Sequence, residues 1–98
     1  MSAKSREEAL ALLHKYTESK SLLKHAYGVE AAMLWYGRHF GVAEDELTLW
    51  GITGLLHDFD YEKYPEPVSP NGHPYFGNRV LADLGYPDSV REAIMGHA

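Results

Sequence analysis

Apolar side chains recur at helical spacing as far as Leu55-Leu56, and the run then meets His57-Asp58-Phe59-Asp60. Leu47, Gly51, Gly54 and Asp58 share one stripe, flanked by Trp50, Leu55 and His57. Neighbouring helical side chains diverge by about 100°, so burying a histidine beside an aspartate is awkward for packing alone. At a fraying last turn both heads can converge on one small ion. The stretch therefore predicts a helix that ends in the centre of a metal site. Each glycine in that helix costs about 1 kcal/mol against alanine. The expected return is close approach by another helix, which would bring its side chains near His57 and Asp58.

The flanking sequence supplies helices to build around this one. Ser5 is a suitable N-cap, with Glu7 and Glu8 in the positive first turn. Leu10, Leu13 and Thr17, with Leu12 and Tyr16 beside them, give an amphipathic helix of about three turns. A second helix is predicted from about Leu22 to Phe40, with Leu22, Ala26, Val29, Met33, Tyr36 and Phe40 on its buried stripe and His25 turned toward it. Arg38 and His39 suit its carbonyl end, and Gly41 its stop. Glu44, Asp45 and Glu46 open the third helix. After a connection from Phe59 to Gly72 rich in proline, tyrosine and acid, His73-Pro74 opens a fourth, with Pro74 at its first position. Phe76, Val80 and Leu84 form its face and Gly85 its end. Pro87 and Asp88 start a fifth, whose inner face is Val90, Ala93, Ile94 and His97. No alternating strand pattern occurs. The fold class expected is all-α, a compact bundle of about five helices in one domain spanning 1–98.

Charge and composition narrow the function classes. The net charge of −5 argues against nucleic acid as a partner, because phosphate binding favours a basic face. No cysteine is present, which excludes disulfides and thiolate metal sites. No apolar run reaches the roughly 20 residues of a membrane span, and the first eight residues are too polar for a signal peptide. A cytoplasmic protein is the expectation. Six histidines are the compositional feature that needs an account.

Three of them, His25, His57 and His97, fall on predicted inner faces, and His73 stands at a helix start. A single inward histidine is more often a core residue bonded to a backbone carbonyl. Several converging with an aspartate suggest ligands for a divalent ion, since imidazole and carboxylate suit Mn, Fe, Co, Ni, Zn and, less well, Mg. His25, His57 and Asp58 are the candidate ligands. His73 and His97 are candidates for a second metal or for substrate phosphate. Asp60 and Glu62 are candidate bases, although a solvated acidic loop is the plainer reading of each. Lys63, Arg79 and Arg91 are candidate phosphate contacts. His14 and His39 are expected at the surface. Phe59, Tyr61, Tyr64, Tyr75 and Phe76 can stack a base, but such residues more often close a core.

Leu22-Leu23-Lys24-His25 followed by Val29, then Leu55-Leu56-His57-Asp58, resembles the HD domain superfamily of metal-dependent phosphohydrolases. His73-Pro74-Tyr75-Phe76-Gly77, Tyr86-Pro87 and the closing Ala93-Ile94-Met95-Gly96-His97 resemble its HDIG-type members, from about Arg6 onward. The resemblance implies an all-helical fold, one or two divalent ions, and His25, His57 and Asp58 as ligands. It implies His73 and His97 as the further histidines of members that hold two metals. The family's last aspartate comes from a helix beyond the position of His97, and Asp83 and Asp88 do not match it. The expectation is the N-terminal part of a longer domain, an incomplete site, or a site completed by a neighbouring chain in a homo-oligomer.

The function expected is hydrolysis of a nucleotide or other small-molecule phosphoester by a metal-activated water. The alternative is a non-catalytic module that binds metal or nucleotide. A third is a helical interaction segment whose histidines are packed or exposed.

Overall fold

The computed structural model describes residues 4–65 and 72–96. Among these residues it holds five helices: α1 Arg6–Tyr16, α2 Lys20–His39, α3 Glu44–Leu56, α4 Tyr75–Asp83 and α5 Asp88–Met95. No strand occurs among the described residues. The all-helical bundle expected from the periodicity is the architecture observed. No described helix is long and apolar enough to cross a membrane.

Local chemistry accounts for the helix starts. Ser5 and Glu8 form a reciprocal capping box at α1. Ser19 caps α2 by accepting from Leu22 N. α4 starts at Tyr75, so Pro74 is its N-cap residue and not its first turn; the one-residue difference is within ordinary fraying. Gly41 and Gly85 adopt positive φ after α2 and α4, the conformation that favours glycine at a helix stop.

α3 is the central element and packs on α1, α2 and α5, while α4 leans on α5. Its last turns are buried all round: Ile52, Leu55 and Leu56 join Ala9, Leu12, Leu13, Ala26, Phe59, Leu81, Tyr86, Val90 and Ile94 in one core. Each large apolar side chain so enclosed contributes about 1.5–3 kcal/mol.

The helix that approaches α3 closely is α2. A Cβ placed on Gly54 would stand 2.8 Å from Val29 O and 2.9 Å from Glu30 Cα. One on Gly51 would meet Leu34 Cδ2 at 2.9 Å, and one on Gly37 of α2 would meet Leu47 Cδ1 at 2.6 Å. The expected return on the α3 glycines is thus observed, and α2 delivers His25 to the end of α3.

The same close packing corrects the expected buried stripe of α2. Ala26, Glu30 and Gly37 are buried, whereas Tyr36 and Phe40 are exposed. Small residues let the two backbones meet, and the bulky ones are rotated outward. Glu30 is tolerated inside because Arg6 grips it with two hydrogen bonds, Nε to Oε2 at 2.6 Å and Nη2 to Oε1 at 3.1 Å. On α4 and α5, Leu84 and Ala93 are likewise exposed, and Leu81 fills the core instead.

Candidate metal centre

α3 ends at Leu56, and His57 is its C-cap. The chain then turns tightly, with Phe59 N donating to Leu56 O, Tyr61 N to Asp58 O and Tyr64 N to Asp60 O. Two contacts from the corner between α1 and α2 pin this turn. The buried Thr17 hydroxyl donates to Phe59 O at 3.0 Å. Glu62 accepts from Ser19 N at 2.7 Å and from Glu18 N at 3.2 Å, at the positive start of α2. Phe59 itself is sealed in the core. The peptide that carries His57 and Asp58 is therefore held from both sides, and both side chains are partly buried.

Three potential ligands meet there. His25 Nε2 lies 3.0 Å from His57 Nε2. Asp58 Oδ2 lies 3.1 Å from His57 Nε2 and 3.6 Å from His25 Nε2. One ligand atom from each of the three falls within 4.8 Å of the others. Ligand atoms about 2.0–2.2 Å from a shared cation stand roughly 3–3.6 Å apart, so these separations fit a first-row divalent ion. The donor set of two nitrogens and one carboxylate oxygen fits as well. His57 Nδ1 is 2.7 Å from Gly54 O. A carbonyl only accepts, so Nδ1 carries the hydrogen and Nε2 turns toward Asp58 and His25.

Electrostatics agree with that arrangement. Burial opposes charge on His57, but its hydrogen bonds to Asp58 and Gly54 O, with the charge of Asp58, outweigh burial and raise its pKa above the usual histidine value. A proton on Nε2 answers the carboxylate where a cation would otherwise sit. His25 was expected on the buried stripe, but its side chain is 53% exposed. It reaches the cluster from the rim, which leaves the site open to solvent on that side.

A third imidazole joins from the far end of the long connection. His73 Nε2 lies 3.2 Å from Asp58 Oδ1, and His73 Nδ1 lies 2.6 Å from Asp60 Oδ1. Asp60 Oδ2 accepts from Gly77 N at 2.8 Å. Histidines 25, 57 and 73 thus come from α2, α3 and the entry to α4, and all meet Asp58. His97 lies outside the described residues, as does the 66–71 part of the connection.

The other predicted site residues are engaged by neighbours of their own. Asp60 is almost wholly buried and Glu62 is bonded to two backbone amides. Lys63 Nζ stands over the Tyr16 ring and Arg79 Cζ over the Phe76 ring, each at 5.9 Å from the centroid. Arg91 donates to Asn78 Oδ1 and pairs with Asp88. His14 and His39 are exposed, as expected. Phe59, Tyr16 and Phe76 stack edge-to-face, and Tyr64 lies parallel to Phe76 at 3.8 Å, so these rings close a core beside the site. Sequence reasoning missed Gly77, whose amide anchors Asp60; a glycine four residues after His73 was the available signal.

Comparison of the chain with protein-family models, with curated proteins and with solved structures finds no match.

Proposed function

We propose that the chain holds a divalent cation at His25, His57 and Asp58 and hydrolyses a phosphoester of a nucleotide or other small molecule. The observation that carries the reading is the convergence of two imidazole nitrogens and a carboxylate oxygen from α2 and the turn that closes α3, 3.0–3.6 Å apart. A cation bound there supplies Lewis acidity toward phosphoryl oxygens and makes water a better nucleophile near neutral pH. Gly54 O keeps His57 in the tautomer whose Nε2 would face the ion. Asp58 supplies the negative charge that holds it. His25, at the rim, leaves the approach by which a phosphoester enters. The packed turn beneath, sealed by Phe59 and Thr17, excludes water from behind.

A second reading, a binding module without turnover, is favoured by one observation. The carboxylates expected as bases are engaged, Asp60 by His73 and Gly77 and Glu62 by the start of α2.

The test combines metal content, melting with and without added cation, and a panel of phosphoesters. Cation binding to the folded chain should raise Tm by mass action, about 2.7 kcal/mol at a hundredfold excess over Kd. Hydrolysis that disappears in His57→Ala and in Asp58→Ala supports the enzyme. Metal binding with no product over hours supports the module. Activity unchanged in both variants removes the hydrolase reading.

A further inference from the structure

We propose that Asp60 is the positioning residue of this site and acts through His73; the inference rests on the metal-site reading above. Asp60 is 2% exposed, and each of its oxygens has a partner: Oδ1 at 2.6 Å from His73 Nδ1 and Oδ2 at 2.8 Å from Gly77 N. An ionised carboxylate only accepts, so the hydrogen sits on His73 Nδ1. That leaves Nε2 facing Asp58 Oδ1, 3.2 Å away, an acceptor opposite an acceptor, so a shared cation or a hydrogen must lie between them. Asp58 is consequently approached on both oxygens, by His25 and His57 at Oδ2 and by His73 at Oδ1. A buried carboxylate that orients an imidazole beside a cation fixes its tautomer and raises its basicity.

Gly77 makes this possible. A Cβ there would stand 2.7 Å from Asp60 Oδ2 and 2.8 Å from Phe59 Cε1. Any larger residue would push the carboxylate off the amide that holds it. Asp60 thereby ties the helix start at α4 to the turn after α3, beside the Tyr64–Phe76 stack, and delivers His73 to a site otherwise built from α2 and the end of α3.

The chemistry singles out one substitution. In Asp60→Asn the Gly77 N–H still needs an acceptor, so the amide oxygen takes that side and the NH2 faces His73 Nδ1. Nδ1 must then accept, and the ring hydrogen moves to Nε2, where it blocks donation toward a cation. An isosteric change thus reverses the tautomer and leaves the shape intact.

The experiment uses the full chain and Co2+ alone as the probe, titrated by its visible absorption, with nitrogen NMR reading the His73 ring. In the unaltered chain the ring hydrogen is expected on Nδ1. In Asp60→Asn it is expected on Nε2, with Co2+ affinity about 10–100-fold lower. His73→Ala should lose a similar factor, and Asp60→Asn combined with His73→Ala should lose no more than His73→Ala alone. Co2+ affinity unchanged in Asp60→Asn overturns the inference, as does a double variant weakened by the product of the two factors. If Asp60→Asn does not fold, the His73 tautomer in the unaltered chain decides, and a bare Nδ1 there overturns it. An unaltered chain that does not bind Co2+ removes the metal-site reading and this inference together, whereas Co2+ binding with an indifferent Asp60 removes this inference alone.

Discussion

Two glycine-to-alanine substitutions in adjacent helices should have opposite signs. Gly28 lies inside α2, and a Cβ built there meets nothing within 4 Å. Alanine at that position gains helix propensity, about 0.5–1 kcal/mol, with no contact to offend. Gly54 lies inside α3 and has the same propensity to gain. Its Cβ, however, would stand 2.8 Å from Val29 O and 2.9 Å from Glu30 Cα. Unstrained carbon contacts lie at about 3.5–4.0 Å, and both neighbours are backbone atoms of α2 that no rotamer change can move. Met33 Cγ, at 2.9 Å, can swing aside. Overpacking of this kind costs about 1–3 kcal/mol and occasionally more. The net expectation for Gly54→Ala is a loss of roughly 1–2 kcal/mol after the propensity gain. At about 4–8 °C per kcal/mol for a chain of this size, Gly28→Ala should raise Tm by several degrees and Gly54→Ala should lower it by about 5–15 °C. Reversible melts followed by far-UV circular dichroism measure both. Co2+ affinity gives a second readout, because His25 rides on α2 and His57 on α3. Forcing the helices apart should weaken binding in Gly54→Ala and leave it intact in Gly28→Ala. If Gly54→Ala is as stable as Gly28→Ala, close backbone approach does not hold these helices together and the account of the site's assembly fails.

Other perturbations test other links. In the metal-free chain the raised pKa of His57 means that its protonated form stabilises the fold fully below about pH 6.5, and that this contribution is lost as pH rises through the raised value. Melts in chelator across that window should slope downward, and His57→Gln should flatten the slope; equal slopes in both would refute the assignment. Proton and cation compete for the same nitrogen, so Co2+ affinity should fall as pH drops, with protons released on binding. Leu55 is 0% exposed, and Leu55→Ala should cost about 2–5 kcal/mol, read as a lower urea midpoint at unchanged slope. Glu62→Ala should lower Tm by a few degrees, because it removes the acceptor at the start of α2, worth about 1–2 kcal/mol. Full stability with hydrolysis abolished would instead make Glu62 the base.

The residues differ in how much of this was legible beforehand. Helix starts and stops at Ser5, Gly41 and Gly85 are local chemistry, decided within a turn of chain, and they could be read directly. So could the His57-Asp58 pair, because a polar doublet closing an apolar helix is anomalous in any packing. The orientation of α2 was not legible. Hydrophobic periodicity marks Tyr36 and Phe40 as inward, yet the contact with α3 is made by small residues, whose contribution is closeness and not apolar area. Glu30 offers no sign of burial until Arg6 of α1 is seen to grip it.

The site divides in the same way. Helical spacing alone dictated that a histidine of α2 and the doublet after α3 exist on elements able to meet. The long-range partners were decided by packing: Gly54 O on His57, Thr17 beneath Phe59, Glu62 at the start of α2, and Gly77 behind Asp60. Residues distant along the chain reveal their pairing only when the core places them a few ångströms apart. Periodicity therefore settled the helices and which of them carry histidines. Tertiary contact settled that Asp58 faces three imidazoles while Asp60 meets His73 and the Gly77 amide, because hydrogen-bond roles depend on neighbours that no local pattern records.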